Sequence, residues 1–361
     1  MAAETSLSDI RQRIDKIDEQ IEKLISERAQ CAIDVATVKR QSGDTNFYRP
    51  EREAQILDKI KKQNSGVLSD EEMARLFREI MSACLALEQP LKIAFLGPEG
   101  TYTQSAALKH FGHSVKTTAV AAIDEVFREV ESGTANYGVI PVENSTEGMV
   151  NQSMDMFVNS PLIICGEVQL RIHHHFLSRL SDIKNIKRIY SHQQSFAQCR
   201  EWLNTHMLGI ERIVVNSNAE AARLASQEND AAAIAGETAA EIYHLQSIAS
   251  NIEDDPQNTT RFLVVGNEKT GASGKDKTSI LLSSQNRPGA LYSLLEPFRR
   301  FGVSMTRVES RPAKLGMWEY VFFVDVEGHI NDKNVQNALS EIKSDATMFK
   351  ILGSYPKAVI A

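Results

Sequence analysis

The feature that most constrains this chain is a heptad pattern of apolar residues in its first forty positions. Apolar side chains recur three and four residues apart, at Leu7, Ile10, Ile14, Ile17, Ile21, Leu24, Cys31, Val35 and Val38. This spacing is typical of a helix–helix seam, and it predicts one helix from about Ser6 to Gln41, on the order of 50 Å long. Such a rod cannot bury its seam within a monomeric helical domain, so a partner chain is expected.

Arg28 occupies the position that the apolar repeat omits. A guanidinium in a seam is costly unless an anion pairs with it. Lys39 follows about three helical turns later and shares that face, whereas Arg11 lies roughly 25 Å away along the rod. One helix cannot bring Arg11 to a small anion held by the other two, but an antiparallel partner helix could. The alternative is a solvated face with interchain salt bridges, but the seam position of Arg28 favours an anion site.

Two shorter helices are predicted before residue 90. One starts at Pro50, a favourable first-turn residue, and the other at Ser69-Asp70-Glu71-Glu72, the pattern of a capping box. Of the 19 glycines, only Gly43 and Gly66 fall within residues 1–90, and of the 10 prolines only Pro50 and Pro90 do so. A segment poor in both residues, followed by a richer one, predicts an all-helical domain joined to an α/β region.

The chain after residue 90 alternates strand and helix patterns. Strands are predicted at 93–96, 137–142, 187–190, 212–215, 231–235 and 261–265, with helical stretches between them. Two stretches resemble each other, since Ala122-Ile-Asp-Glu leads through a helix to a strand at 137, and Asn218-Ala-Glu leads through a helix to a strand at 231. This weak internal duplication predicts two similar lobes with a cleft between them.

Polar clusters lie where several of these strands end or begin. They are Gly97-Pro-Glu-Gly-Thr-Tyr-Thr103, Asn144-Ser-Thr146, Tyr190-Ser-His-Gln-Gln194 and Asn258-Thr-Thr-Arg-Phe262. Such donors at strand ends suit the crevice of an open α/β sheet, and a helix N-terminus after residue 100 suits an anion. Each cluster alone could be ordinary loop capping, but the four together favour a binding cleft.

The run His173-His174-His175 does not predict a metal site. Consecutive strand residues point to opposite faces, so the three imidazoles would not converge on one ion. No metal and no organic cofactor are expected.

The last part of the chain follows a polar linker at 266–277. Strands are predicted at 278–283, 303–309, 319–326 and 349–355, and helices at 289–301 and 331–344. This βαββαβ order is the ferredoxin-like arrangement. Asn286-Arg-Pro-Gly-Ala-Leu291 lies between a strand and a helix, where backbone amides could approach a small carboxylate; the alternative is a simple strand–helix turn.

Composition excludes several classes of protein. Lys and Arg number 40 against 47 Asp and Glu, a formal charge of −7, which argues against nucleic acids and membrane surfaces as partners. The four cysteines are far apart and predict reduced thiols. The polar N-terminal residues do not resemble a signal peptide, and no apolar run is long enough to span a bilayer, so a cytoplasmic location is expected.

Residues 6–90 resemble the all-α chorismate mutases, through Ile10-Arg11, Leu24-Ile-Ser-Glu-Arg28, Val38-Lys39 and Tyr48-Arg-Pro-Glu-Arg52-Glu53. The resemblance implies an intertwined helical dimer that rearranges chorismate to prephenate. It implies that Arg28 and Lys39 of one chain and Arg11 of the other hold the carboxylates and ether oxygen, and that Arg52 and Glu53 hold the ring side.

Two positions depart from that family. Glu88 stands where some members carry Gln as a hydrogen-bond donor, and Cys84, a candidate substrate-binding residue, stands where a hydroxyl residue can occur. An ionised carboxylate only accepts hydrogen bonds. Mutase turnover is therefore expected to need protonated Glu88.

Residues 91–267 resemble prephenate dehydratases, because GPEGTYT, VIPVENS, YSHQQSFAQC and TTRF occur in that family's order. The resemblance implies the two-lobed periplasmic-binding type of fold and conversion of prephenate to phenylpyruvate. It implies a catalytic role for Thr260 and a substrate-binding set of Thr101, Asn144, Ser145, Ser191, Gln198 and Arg261.

The last segment resembles ACT domains, through the Pro-Gly motif before residue 291 and Glu309-Ser-Arg-Pro312. The resemblance implies phenylalanine binding at a dimer interface, with Tyr292 as a mild departure from the usual pattern. The implied effector-binding residues are Asn286, Gly289, Ala290, Leu291, Glu309, Ser310, Arg311 and Pro312.

Together the three segments resemble the bifunctional chorismate mutase/prephenate dehydratases. The predicted domains are residues 1–90 (mutase), 91–267 (dehydratase) and 278–355 (ACT), in a homodimer or higher homo-oligomer whose small-molecule ligands are chorismate, prephenate and phenylalanine. Two alternatives stay open. One is a two-lobed binding or sensor protein without catalytic activity, and the presence of Thr260 argues against it. The other is an enzyme with one inactive site, and the seam position of Arg28 argues against that.

Overall fold

The computed structural model describes residues 6–43, 47–284, 287–312 and 320–358. Within these ranges the helices are α1 (Leu7–Ser42), α2 (Pro50–Gln63), α3 (Asp70–Glu88), α4 (Tyr102–Phe111), α5 (Ile123–Glu131), α6 (Asn151–Asn159), α7 (Gln193–Gln198), α8 (Arg200–His206), α9 (Asn218–Gln227), α10 (Glu237–Ile242), α11 (Ala290–Arg300) and α12 (Lys333–Asp345).

The strands in the same ranges are β1 (Lys92–Leu96), β2 (Lys116–Val120), β3 (Tyr137–Asn144), β4 (Gly148–Met149), β5 (Ile163–Arg171), β6 (His175–Ser178), β7 (Arg188–Ser191), β8 (Glu211–Val214), β9 (Ala231–Ala235), β10 (Gln246–Ala249), β11 (Thr259–Gly266), β12 (Asp276–Ser283), β13 (Met305–Pro312), β14 (Tyr320–Glu327) and β15 (Met348–Pro356).

The first helix is the rod that the heptad pattern predicts. Ser6 and Asp9 form a reciprocal capping box at its start, and Gly43 ends it in the left-handed conformation. Its apolar seam lies on the outside of the chain, with Leu24 64% exposed and Ile14 50% exposed. Nothing within the described chain covers this seam.

The capping box predicted at the start of α3 is only half formed. The Ser69 hydroxyl accepts a hydrogen bond from the Glu72 backbone N–H, but the Glu72 carboxylate pairs with Arg75 on the next turn. The helix still starts where predicted, because one satisfied N–H and the acidic first turn suffice to favour it.

Two sheets with the same topology form the middle of the chain. The first has the order β2-β1-β3-β11-β5, with β4 beside β3, and the second has the order β10-β6-β9-β7-β8. In each sheet, helices connect three parallel strands. Two further strands complete the sheet, and each is antiparallel to the strand beside it. The internal duplication predicted from the sequence is thus present in the topology.

The strands missed by the sequence analysis are β2, β4, β5, β6 and β10. The β2 strand is largely exposed at a sheet edge and lacks an apolar face. Gly166 and Glu167 interrupt the apolar pattern of β5, and the antiparallel strand β6 begins inside the histidine run.

The chain crosses between the two lobes twice, from β5 to β6 and from β10 to β11. The crossings are hydrogen-bonded to each other, since the Ile252 N–H donates to the His174 carbonyl and the Glu253 carboxylate accepts from the His174 N–H at 2.9 Å. His173 and His174 therefore belong to a crossing, and only His175 lies in a strand. The prediction that all three histidines lie in one strand, with side chains on alternating faces, was wrong for His173 and His174.

The last four strands form an antiparallel sheet in the order β13-β14-β12-β15, with α11 and α12 packed on one face. This is the predicted ferredoxin-like arrangement. Its other face shares a core with the first lobe, where Phe323 and Tyr355 pack with residues such as Phe127 and Ile164. The segment predicted as a linker is likewise packed, with Thr270 buried.

No helix of the described residues is both long and apolar enough to cross a membrane. The four cysteines are free thiols, with Cys31 exposed and Cys84, Cys165 and Cys199 buried.

The close contact between β15 and β5 can be tested at Gly353. A Cβ atom added there would lie 2.2 Å from the Ile164 carbonyl oxygen, a backbone atom that cannot rotate away. We expect Gly353→Ala to destabilise the protein by on the order of 3 kcal/mol, measured as a lower thermal unfolding midpoint. Gly302→Ala, also at a positive φ but facing open space, is the control. Equal shifts in both variants would contradict the packing argument.

Candidate functional site

A cavity of about 460 Å³ lies between the two lobes. Residues of both sheets line it, among them Thr101 from the start of α4, Asn144 and Thr260 from the first lobe, and Gln198 and Asn218 from the second. The structure thus brings together four of the predicted cleft residues, Thr101, Asn144, Gln198 and Thr260.

Thr260 is held by Asn144 in one defined arrangement. The Asn144 Oδ1 accepts hydrogen bonds from the backbone N–H groups of Thr146 and Glu147, so its amide nitrogen must face the other way. That nitrogen donates to the Thr260 hydroxyl oxygen at 2.8 Å. Because Asn144 is the donor, the hydroxyl proton of Thr260 stays available to a ligand.

Asn258 is a cleft residue that the predicted site set omits. Its side-chain oxygen accepts from Asn144 and from the Thr146 hydroxyl, while its Nδ2 is buried without a hydrogen-bond partner. An unpaired buried donor costs about 1–3 kcal/mol. Its position in the cavity wall suits a ligand acceptor.

Ser191 and Ser145 lie behind or beside the cavity and do not line it. The buried Ser191 hydroxyl donates to Asn218 Oδ1 at 3.2 Å, and Asn218 in turn donates to Ser195. The exposed Ser145 accepts from the Thr259 backbone N–H at 2.9 Å. Both residues therefore position the residues that reach the cleft.

Arg261 points away from the cleft, which corrects its prediction as a cleft residue. Neighbouring residues of a strand face opposite sides, so with Thr260 in the cavity wall the Arg261 side chain enters the interface with the C-terminal sheet. Its guanidinium donates to Glu167, to Asp325 at 2.7 Å and to the Tyr355 hydroxyl. Sequence adjacency in the TTRF motif does not reveal which face each residue takes.

Tyr102 and His174 are further cavity residues that the sequence reasoning missed. The Tyr102 hydroxyl lies 2.8 Å from Nδ1 of His174, and Nε2 of His174 lies 2.8 Å from Oε1 of Gln198. The sequence signal for this pair is the histidine run, because imidazoles form hydrogen bonds as well as metal bonds. The described residues contain no group of three or more His, Cys, Asp or Glu placed to hold a metal ion.

A second candidate site lies where the end of α1 meets the end of α3. Burial raises the pKa of Glu88, while the nearby charges of Lys39 and Arg28 lower it in part. The Glu88 Oε2 is buried without a hydrogen-bond partner, and Cys84 is buried one turn earlier on α3. The charges of two cations thus act on a protonatable carboxyl at this place.

The other predicted residues of this site lie elsewhere in the single chain. Arg11 and Arg52 are exposed. The Glu53 side chain, 18% exposed, lies 3.6 Å from Arg78 in a separate cavity that Tyr48 and His110 also line. Burial raises the pKa of Glu53 to about 7, although Arg78 lowers it in part.

The predicted effector residues lie at one end of the C-terminal sheet. Ser283 at the end of β12 and Arg311 on β13 both pair with Val321 of β14. The chain that continues from Ser283 to Gly289, Ala290 and Leu291 therefore starts at the same end of the sheet as residues 309–312. Glu309, Ser310 and Pro312 belong to β13, the edge strand. Asn286 lies outside the described residues.

Arg311, predicted to bind the effector, contacts the first lobe. Its guanidinium pairs with Asp155 at 2.7 Å and donates to the Asn151 carbonyl, both on α6. On the same strand, Arg307 contacts Glu143 at 3.7 Å and the sulfur of Met149. Met149 lines the cleft, so this strand contacts the cleft wall directly.

Comparison with known proteins gives three family matches in order along the chain. Residues 10–89 match chorismate mutase type II, residues 93–270 match prephenate dehydratase and residues 278–344 match the ACT domain. A bifunctional chorismate mutase/prephenate dehydratase of Pseudomonas aeruginosa is 55% identical over 100% of both chains. Its Escherichia coli counterpart is 30% identical over 99% of this chain and 97% of its own.

Solved structures resemble the part of the chain that follows the helical segment. A prephenate dehydratase from Arthrobacter aurescens in complex with L-Phe has a TM-score of 0.68 and 31% identity, covering 75% of this chain and 93% of its own. A protein described as a novel type of quorum quenching acylase, GqqA, has the same TM-score and 29% identity, covering 74% of this chain and 98% of its own. A shared fold alone does not transfer that acylase activity.

The raised pKa of Glu53 predicts how stability depends on pH. An unfolded glutamate loses its proton near pH 4.3, whereas folded Glu53 keeps its proton to about pH 7, so wild-type stability falls between these values. We expect the thermal unfolding midpoint of Glu53→Gln to rise relative to that of wild type as the pH is raised from 5 to 8. Glu72→Gln is the control, because the hydrogen bond from Arg75 lowers the pKa of Glu72 below this range. A pH-independent difference for Glu53→Gln would contradict the assignment.

Proposed function

This chain belongs to the family of bifunctional chorismate mutase/prephenate dehydratases, and from that premise we propose which of its residues perform the two reactions. It is an enzyme of phenylalanine biosynthesis that rearranges chorismate to prephenate and then decarboxylates and dehydrates prephenate to phenylpyruvate. The first reaction is an isomerisation and the second is carried out by a carbon–oxygen lyase.

The mutase reaction belongs to the Arg28–Lys39–Glu88 group. It is a pericyclic shift that needs no nucleophile, only a compact substrate and stabilisation of negative charge on the ether oxygen. Arg28 holds a substrate carboxylate, and Lys39 with protonated Glu88 donates to the ether oxygen. The observation that supports this assignment is the buried, unpartnered Glu88 oxygen beside both cations.

A second copy of the chain completes this site in our proposal. The exposed seam of α1 has apolar side chains on every turn of its first half, which favours a coiled partner helix. An antiparallel copy brings its own Arg11 to the substrate held by Arg28 and Lys39. Arg52, exposed in the single chain, would then flank the ring side, whereas Glu53 lies in the separate cavity beside Arg78.

The dehydratase reaction belongs to the interlobe cleft. The ring carboxylate leaves as carbon dioxide, its C–C bonding electrons enter the ring, and the ring hydroxyl leaves as water after taking up one proton. Thr260, fixed by Asn144 with its own proton free, donates a hydrogen bond to that hydroxyl and orients the proton transfer. Gln198 and Asn258 hold the pyruvyl carboxylate, and the cleft leaves the departing carboxylate less stabilised.

Phenylalanine regulates the dehydratase through the ACT domain in our proposal. The effector binds between the start of α11 and the edge strand β13. The same strand contacts the cleft wall through Arg307, which meets Met149, so an effector that moves β13 changes the cleft. Such regulation is a coupling free energy between the effector site and the cleft. Its support is that one strand, β13, belongs to the proposed effector site and also contacts the cleft wall.

We retain the predicted domains, residues 1–90, 91–267 and 278–355, as working boundaries, and we propose a cytoplasmic homodimer or higher homo-oligomer. The free cysteines favour a reducing compartment. Neither a metal nor an organic cofactor enters the proposed reactions.

Purified protein given chorismate alone tests both reactions. We expect phenylpyruvate, and we expect added phenylalanine to suppress it while prephenate still forms. Thr260→Val should lose phenylpyruvate formation by at least about 100-fold and accumulate prephenate, whereas Thr260→Ser should keep most activity. Prephenate as the only wild-type product would indicate an inactive cleft, and no turnover of either substrate would support a binding protein.

The pH dependence of the mutase reaction tests Glu88. Its carboxyl donates only when protonated, and burial raises its pKa, so activity should persist above the usual range for glutamate and then fall as the pH rises. Glu88→Gln, a permanent donor, should give a flat profile over the same range. The measurement is the initial rate of chorismate loss between pH 5 and 9, and an unchanged profile in the variant would remove this role.

A further inference from the structure

The ammonium of Lys39 is held by an aromatic residue that the reactions assigned above do not use. Phe47 lies on the segment between α1 and α2, and its backbone carbonyl accepts a hydrogen bond from Lys39 Nζ at 3.2 Å. The same Nζ lies over the Phe47 ring, 5.3 Å from the ring centroid. A cation this close to the face of an aromatic ring is attracted by the ring quadrupole. Phe47 therefore holds Lys39 through two contacts of different kinds.

Phe47 can hold a neighbour because its own segment is fixed. The next residue, Tyr48, is buried in a core of the first lobe, where its ring packs against the rings of Phe111 and Tyr137. The Tyr48 hydroxyl lies 3.1 Å from Nε2 of His110 on α4. The dehydratase domain thus anchors the segment that holds a cation of the mutase site.

The ammonium that Phe47 holds also acts on Glu88. Burial raises the pKa of Glu88, and the charge of Lys39 lowers it in part. Arg40, the next residue on α1, donates to the Glu88 backbone carbonyl at 2.9 Å, so the last turns of α1 and α3 are joined at this point. The contacts of Phe47 therefore restrain Lys39 where its charge is felt by the second proposed donor to the ether oxygen.

Such a restraint favours the mutase reaction. A lysine side chain is long and flexible, and ordering it costs conformational entropy. Where the order exists before chorismate binds, that cost does not reduce the stabilisation of the transition state. A restrained ammonium meets the negative charge that develops on the ether oxygen with little reorganisation.

We propose that Phe47 is a positioning residue of the mutase reaction, which fixes the Lys39 ammonium for the ether oxygen through its carbonyl and the face of its ring. The proposal deepens the mutase function proposed above and rests on it. Any residue at position 47 supplies a carbonyl, so the identity of the side chain matters through the ring. The effect is expected in kcat more than in KM, because the ether oxygen gains its charge only in the transition state.

Two substitutions of Phe47 separate the aromatic face from simple packing. Leucine keeps an apolar side chain without a ring, whereas tyrosine keeps the ring. We expect Phe47→Leu to lower kcat for chorismate about 3- to 30-fold, the range of one cation–π contact, with KM within about 2-fold of wild type. Phe47→Tyr should keep kcat within about 2-fold. The dehydratase rate of the full chain on supplied prephenate is the internal control for folding.

Ring fluorination tests the electrostatic contact with almost no change of shape. Phenylalanine analogues with one, two and three ring fluorines are incorporated at position 47 alone by nonsense suppression. Each fluorine withdraws negative charge from the ring face, so the logarithm of the mutase kcat should fall stepwise with the number of fluorines. The same series at Phe301 is the matched control, because that ring lies 5.5 Å from the guanidinium carbon of Arg300 in the ACT domain and should leave the mutase rate unchanged.

The outcomes separate this proposal from the mutase assignment itself. A kcat that does not follow the number of fluorines, or equal losses in Phe47→Leu and Phe47→Tyr, would overturn the role of Phe47 and leave the mutase assignment intact. If Phe47→Leu also lowers the dehydratase rate, the fluorinated series decides, because it preserves the packing. A wild-type protein that does not rearrange chorismate would overturn both.

Discussion

The guanidinium of Arg261 is the interaction on which the arrangement of the dehydratase and ACT domains depends. It is buried between two sheets and bonded to Glu167 of β5, Asp325 of β14 and Tyr355 of β15, while Lys277 reaches Glu167 from β12. Removing one partner of such a buried group typically costs about 3–5 kcal/mol, because an uncompensated charge remains. The second and third domains are therefore joined by a network that tolerates little displacement.

The same strand carries this network and the chemistry of the cleft. Residue 260 of β11 faces the substrate cavity and residue 261 faces the regulatory sheet, so a shift of β11 reaches both sides at once. The contact of Arg307 on β13 with Met149, which lines the cleft, adds a second connection. In the proposed regulation, an effector bound at the sheet edge would have two short mechanical paths to the residues of the cleft.

Much of this organisation follows from the sequence, and its gaps have physical causes. The heptad spacing predicts α1 because helical periodicity is local, and the motif order predicts the cleft residues Asn144, Gln198 and Thr260. The face taken by Arg261 depends on anions 64 and 94 residues away along the chain, which no local pattern contains. The position of His174 in the cleft wall likewise depends on two crossings that meet only in the fold, and the surroundings of Glu53 depend on Arg78 from another helix.

The double crossing between lobes also governs how this protein can be made on the ribosome. The first sheet holds β11 between β3 and β5, and β11 is synthesised after the whole second lobe. Until residue 266 has emerged, β3 and β5 each expose an unpaired edge, a surface that invites pairing with other chains. The two lobes must therefore complete their folding together, late in synthesis, and a chain released after β10 would keep those edges open and be prone to aggregation.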